Sequence, residues 1–198
     1  LILGVALAYV IVRSKIAGRQ ILDFLAMMPL AVPGLVLAFG YLAMSQDGKF
    51  FSFLNPTRDP TILLIIAYSV RRLPYVVRSA AAGFQQTSET LEEAAQNLGC
   101  PPLKATFKVT LPLILANLIA GGLLAFSFAM LEVSDSLILA QKQVYYPITK
   151  AIYELFQLLG DGKYIASALG VWAMAFLGIT IAGMTILLGK KLGAIFRV

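Results

Sequence analysis

Glu93-Ala94-Ala95-Gln96-Asn97-Leu98-Gly99, continued by Cys100 to Lys108 and closed by Val109-Thr110-Leu111-Pro112, is a long polar interval flanked by sequence apolar enough to enter a bilayer. Residues 88–98 read as a short helix. Thr90 is placed to cap it, and Glu93 reaches back three residues later as in a capping box. Leu91, Ala94, Ala95 and Leu98 fall at i, i+3, i+4 and i+7 and form one apolar face. Gly99 stops the helix, and Pro101-Pro102 prevent its restart. A short amphipathic helix held between two spans must dock on something. The small Ala94 and Ala95 allow close approach, and Gly99 lets the chain turn sharply away.

Composition points the same way. The 198 residues are 59% hydrophobic and 13% charged, with mean hydropathy +0.83; a soluble domain carries roughly a quarter charged residues. One membrane domain over residues 1–198 is expected, in contact with the lipid bilayer. The net charge of +6 is scattered among apolar runs with no aromatic-interleaved basic stripe, so nucleic acid is not expected as a partner. A lone Cys100 makes no internal disulfide. Histidine is absent, which removes His/Cys zinc sites, Ser-His-Asp triads and Cys-His dyads. No Gly-x-x-x-x-Gly-Lys-Ser/Thr occurs, so the chain is not itself a P-loop ATPase. Neither an enzymatic activity nor a cofactor or metal site is expected. Leu1 stands inside an apolar run, which reads as the end of a span in a longer protein, with no cleavable signal recognisable.

Residues 1–12 are uncharged and too short to span alone. Arg13, Lys15 and Arg19 follow. Residues 24–46 are uncharged and long enough to cross about 30 Å of hydrocarbon; Pro29, Pro33 and Gly34 inside them predict a kink or a broken helix, either a hinge lining a pathway or a packing feature. Residues 47–60 hold the turn formers Asp47-Gly48, Asn55-Pro56 and Asp59-Pro60. The next span, residues 61–86, carries Arg71, Arg72, Pro74 and Arg78. Arg78 can snorkel, whereas Arg71 and Arg72 lie deeper and need partners, in a pathway, an ion pair or a shorter span that leaves them interfacial. Residues 109–131 form another span, with Gly121-Gly122, Ala120, Ala125 and Ala129 for close packing. Glu132 and Asp135 at its end suit a cation, a basic partner or a solvated helix end. Residues 146–159 are amphipathic, with a Lys150–Glu154 pair, and read as an interfacial helix. Residues 165–189 form the last span, whose Gly170, Gly178 and Gly183 suggest tight packing, before Lys190, Lys191 and Arg197.

The spacing of Glu93-Ala94-Ala95, Gly99, Val109 and Leu111-Pro112 resembles the EAA loop of bacterial ABC importer permeases. The resemblance implies an all-α membrane protein with the fold of the methionine and maltose permeases, about five transmembrane segments with the first truncated, in the bacterial inner membrane. It implies that residues 88–112 are a cytoplasmic coupling loop, with Glu93, Ala94, Ala95, Gly99, Leu111 and Pro112 serving an ABC ATPase partner. A second permease unit, fused or separate, and an extracytoplasmic substrate-binding protein complete the implied assembly. Charge supports this orientation. Arg13, Lys15, Arg19, Arg78, Lys104, Lys108, Lys190, Lys191 and Arg197 fall on the loop's side, against Lys49, Arg58, Lys142, Lys150 and Lys163 on the other, as the positive-inside rule requires.

Pro29-Leu30-Ala31-Val32-Pro33-Gly34, Phe39-Gly40-Tyr41-Leu42 and the stretch from Glu132 to Gln141 resemble the ferric iron permease branch. Thiamine, putrescine, sulfate and phosphonate permeases are close relatives. An ion-coupled secondary transporter would account for a broken span and for Arg71 and Arg72, but not for the Glu93-to-Pro112 spacing. An intramembrane enzyme lacks histidine and any evident serine–lysine pair.

Overall fold

The computed structural model describes residues 1–195 of the chain, with side chains as far as Ile186. Arg197 and the side chains of Lys190 and Lys191 lie outside that description. Every regular element among the described residues is helical: α1 (Ile2–Arg13), α2 (Arg19–Ala31), α3 (Gly34–Met44), α4 (Thr61–Gln86), α5 (Thr90–Asn97), α6 (Pro102–Ala105), α7 (Leu111–Leu113), α8 (Leu115–Met130), α9 (Ser134–Leu139), α10 (Ile148–Gln157) and α11 (Gly162–Ile195). A π-helical turn, Thr106–Thr110, joins α6 to α7.

Contacts divide the chain into two compact units, each built from two separate stretches. Unit 1 comprises Leu1–Pro29 and Arg72–Ala125. Its core is Ala8, Ala26, Val77, Ala80, Ala81, Phe84 and Ile114. Small residues bring its helices close, as membrane bundles do where hydrophobicity gives helices no preference for one another. A Cβ added at Gly4 would fall 2.6 Å from Val76 Cγ1, and one at Gly121 would fall 2.6 Å from Ser79 Cβ. Tyr9 meets Phe84 edge to face at 5.6 Å. Unit 2 comprises Leu30–Arg71 and Phe126–Val198, and its core is Leu63, Leu64, Ala67, Leu139 and Ala140. In it α3 packs on α9, and α10 on α11.

The broken helix expected within residues 24–46 is present: the run is two helices, α2 and α3, with Pro29 kept inside α2 and Pro33 capping α3. The break falls at Val32 because a residue before proline is pushed out of the helical region. The run 109–131 is entered earlier than expected. Pro102 does not block a helix but begins one, at the first helical position, where its missing N–H would be unsatisfied anyway. From there the chain runs to Leu113, breaks at Ile114 and bends by 73° into α8.

Among the described residues one helix, Gly162–Ile186, is alone long and apolar enough to cross a membrane, and up to three spans exist if each bent pair counts as one. The five-segment expectation therefore needs α1, at 12 residues, and α4, which carries Arg71, Arg72 and Arg78 in 26 residues, to be spans as well. The glycines of α11 do not pack as expected. Nothing stands within 4 Å of a Cβ at Gly170, Gly178 or Gly183, and only 6% of the span is buried.

The turn-forming stretch before α4 is held by its own side chains. Asn55 Nδ2 donates to Asp47 Oδ1 at 3.0 Å, the Thr57 amide and hydroxyl donate to Asn55 Oδ1, and Arg58 pairs with Asp47 at 3.5 Å. Lys150 and Glu154 form the expected i, i+4 pair at 3.5 Å.

Candidate functional site

In unit 1, α5 carries the Glu93 motif, and its packing is inverted relative to an ordinary amphipathic helix. Leu91 is 45% exposed and Leu98 90% exposed; Ala94 is exposed and Ala95 half-buried. Leu103 and Phe107, beyond the turn, are exposed as well. The one residue of α5 that is buried is Glu92. Its carboxylate accepts the Thr106 hydroxyl at 3.2 Å and the Thr110 hydroxyl at 2.5 Å. A hydrogen bond to a charged group contributes about 1.5–3 kcal/mol, which offsets the desolvation of the carboxylate. Glu93, singled out by the motif, is exposed.

The expected capping box does not form. No side chain caps α5 at Glu89; the Thr90 amide instead donates to Ser88 Oγ at 3.3 Å. Arg13 holds this end from α1, donating to the Thr87 carbonyl at 2.5 Å and pairing with Glu89 at 3.1 Å.

At the other end the reading of Gly99 holds in detail. Its φ is +89°; its amide donates to Gln96 O at 2.8 Å, and the Cys100 amide donates to Ala95 O at 3.0 Å. This pair of bonds is a Schellman motif, for which glycine is the favoured residue. Leu111 and Pro112 shape the segment that follows. Pro112 has no N–H for the Lys108 carbonyl and its ring crowds that carbonyl. The chain answers with a wider turn over Thr106–Thr110, closed by the Leu111 amide on Thr106 O. Sequence reasoning passed over Glu92, Thr106 and Thr110; the available signal was a second glutamate beside Glu93 and two threonines four residues apart.

In unit 2, Gly34, Arg71, Glu132 and Asp135 come together. Arg71 Nε lies 3.1 Å from Asp135 Oδ2 and 3.6 Å from Glu132 Oε2. Asp135 is 0% exposed and Glu132 7%, so these acids are not a solvated helix end: Arg71 supplies the charge that makes their burial tolerable. Glu132 Oε1 also accepts the Ser134 amide at 3.0 Å, and the Thr149 hydroxyl donates to the Glu132 carbonyl. A Cβ at Gly34 would lie 2.7 Å from Ser134 Cβ and 2.9 Å from an Arg71 guanidinium nitrogen, so only glycine lets α3 begin there. Pro33 precedes it as the α3 cap. Pro29 and Arg72 belong to unit 1. Arg78, also in unit 1, pairs with Asp23 at 3.2 Å.

Compared with known proteins, residues 1–188 match the family of binding-protein-dependent transport system inner membrane components. The chain belongs to that family. Its members are transport components of an inner membrane, not catalytic subunits, and the all-helical, membrane-type bundle agrees with membership. A ferric transport system permease protein of Actinobacillus pleuropneumoniae is 32% identical over 66% of this chain and 18% of its own length. A molybdate/tungstate transport system permease protein of Pyrococcus abyssi is 29% identical over 77% of this chain and 56% of its own. A sulfate transport system permease protein of Salmonella typhimurium is 32% identical over 66% of this chain and 49% of its own. The chain thus spans less than two thirds of the length of each of these relatives.

Proposed function

We propose that the chain acts as the membrane permease subunit of a binding-protein-dependent ABC importer, in which α5 docks on a partner ATPase through Leu91, Glu93, Ala94, Ala95 and Leu98. The observation that carries the reading is the inversion of α5: its apolar face is exposed while its buried residue is a carboxylate. Exposed apolar surface rimmed by polar residues marks a protein contact, and small alanines let a groove close on the backbone. A second permease unit and an extracytoplasmic binding protein belong to the same proposal. Arg71, Glu132 and Asp135, with Pro33 and Gly34, fix the start of α3 against α9 and serve passage by holding that geometry. Pro29 and Arg72 are further candidates for the pathway.

For the cargo we propose ferric iron, on the stretches from Pro29 to Gly34, from Phe39 to Leu42 and from Glu132 to Gln141. A second reading, an oxyanion such as molybdate, tungstate or sulfate, is favoured by the relatives that transport them. Vesicles containing the chain, its ATPase and its binding protein would be given radioactive iron, molybdate and sulfate in parallel. ATP-dependent accumulation of iron alone supports the first reading, and accumulation of an oxyanion the second. Ala94→Asp should abolish uptake while the chain remains in the membrane. Normal uptake by that variant, at wild-type abundance, would refute docking through α5.

A further inference from the structure

Glutamate is seldom buried unless something specific holds it. In α5 the fold buries Glu92 and leaves Leu91 and Leu98 outside. An apolar side chain would fill the same space without desolvation; a carboxylate adds two directed bonds. Both come from one place, the buried hydroxyls of Thr110, at 2.5 Å, and of Thr106, whose single proton is shared between Glu92 at 3.2 Å and the Pro102 carbonyl at 3.3 Å. These threonines are the first and last residues of the π-helical turn. That turn leads through α7 to the 73° bend before α8, and π turns inside helices occur frequently at functional sites. α5 also packs on α6 and on the π turn, but the Glu92 bonds are the directed contacts that fix its register there, and along the chain α5 reaches α6 only through the turn 98–101.

We propose that Glu92 is a positioning residue for transport: it locks α5 to the π turn, so that a displacement of α5 moves α8 and is not absorbed by the turn at Gly99. The assignment rests on the docking role proposed for α5, and it separates two duties. The exposed face of α5 receives the ATPase, and Glu92 passes the movement inward.

The test uses the reconstituted complex of chain, ATPase and binding protein, and reads three quantities: ATPase subunit retained on purification, ATP hydrolysed, and cargo accumulated per ATP. Glu92→Ala should retain the ATPase and lower cargo per ATP at least tenfold. Glu92→Gln, which keeps one acceptor oxygen, should recover most of the loss. Thr106→Val combined with Thr110→Val should reproduce the defect, and adding Glu92→Ala to that pair should lower transport no further, because linked residues are not additive.

Unchanged cargo per ATP in Glu92→Ala, or multiplying defects in the triple variant, would overturn the proposal. Loss of the ATPase from the Glu92→Ala complex would also overturn it, by making Glu92 part of docking. Should Glu92→Ala fail to accumulate, Glu92→Gln and the threonine pair decide: a coupling ratio equal to wild type in the threonine pair refutes the link. Failure of the parent reading is distinguishable, since the wild-type chain would then show no ATP-dependent uptake.

Discussion

Replacing Gly99 by valine tests the end of α5 without touching its face. A Cβ there meets nothing within 4 Å, so the cost is conformational and not steric crowding. The residue sits at φ +89°, where an L-side chain costs about 1–2 kcal/mol and a β-branched one is a genuine outlier. The chain can escape by unwinding the turn. It then loses the Gly99-to-Gln96 and Cys100-to-Ala95 bonds, each contributing about 0.5–1.5 kcal/mol. Unwinding thus costs about 1–3 kcal/mol against about 1–2 kcal/mol for the strain, and a penalty of about 1–2 kcal/mol lowers the ratio of native to unwound turn roughly 5- to 30-fold. Because α5 has only eight residues, it has little reserve of its own with which to resist.

Transport by Gly99→Asn, Gly99→Ala and Gly99→Val, each normalised to the amount of chain in the membrane, should fall in that order, since asparagine tolerates the left-handed region best of the three. Valine should show the largest loss, bounded by that roughly 5- to 30-fold change in the ratio. Wild-type transport by Gly99→Val, or no difference between asparagine and valine, would refute the argument that backbone conformation at Gly99 positions α5.

Cys100, the single thiol, should resist a membrane-impermeant reagent in intact cells, whereas a cysteine at Phe53, which is 75% exposed, should react; Asn55, buried at 3% exposure, is unsuitable as the outer reporter, and the reverse labelling pattern would invert the topology. Asp135→Asn removes one of two carboxylates facing the Arg71 guanidinium, at a position with 0% exposure, and should destabilise the detergent-purified protein by about 1.5–3 kcal/mol in thermal unfolding, Glu132 still balancing the charge; an unchanged midpoint would show that the pair contributes nothing. Gly121→Ala should destabilise by about 1–3 kcal/mol through overpacking against Ser79, while Gly178→Ala, with open space around it, should be neutral or raise the midpoint through helix propensity. The hydroxyl and amide of Thr61 hold the Asp59 carboxyl below its ordinary range; its contribution is therefore present above the unfolded-state value and is lost as pH falls through the lower folded one, so Asp59→Asn should flatten the acid limb of stability, and an unaltered acid limb would count against that bond.

The helix at Thr90–Asn97 and its stop at Gly99 were legible because both depend on local chemistry: four apolar residues at helical spacing and a glycine where the chain turns left-handed. The direction in which that helix faces was not legible, since periodicity identifies an apolar stripe without saying whether the stripe meets the chain's own core. Pro29 and Pro33 correctly predicted the break within residues 24–46, but Pro102 was misread for a related reason, since it starts a helix that it was expected to prevent. Pro29 stays inside α2, Pro33 caps α3, Pro102 starts α6 and Pro112 follows a widened turn. Each lacks the same N–H, and its consequence depends on where the neighbouring helix begins. Arg71, Glu132 and Asp135 were visible as charges out of place in apolar sequence, but 64 residues separate Arg71 from Asp135, and nothing local joins them.

The buried carboxylates share a logic that the exposed surfaces complete. Glu92 joins α5 to the π turn, and Asp135 joins the start of α9 to Arg71 of α4. In each case a directed polar contact fixes one element against another within its own unit, where apolar packing between small residues would permit sliding. A polar bond left unmade at such a site costs its full desolvation, so each arrangement favours one register over its neighbours. Apolar residues face outward on other surfaces: Leu91 and Leu98 at α5, and Val171, Trp172, Met174 and Ile179 along α11. On α11 that surface suits lipid, because a predominantly apolar stretch of 25 residues in an almost wholly exposed helix has hydrocarbon as its natural environment. On α5 the helix is a third of that length and charged at Glu92 and Glu93. It is too short to span, and its exposed apolar face is the surface that the proposed docking on a partner protein would cover.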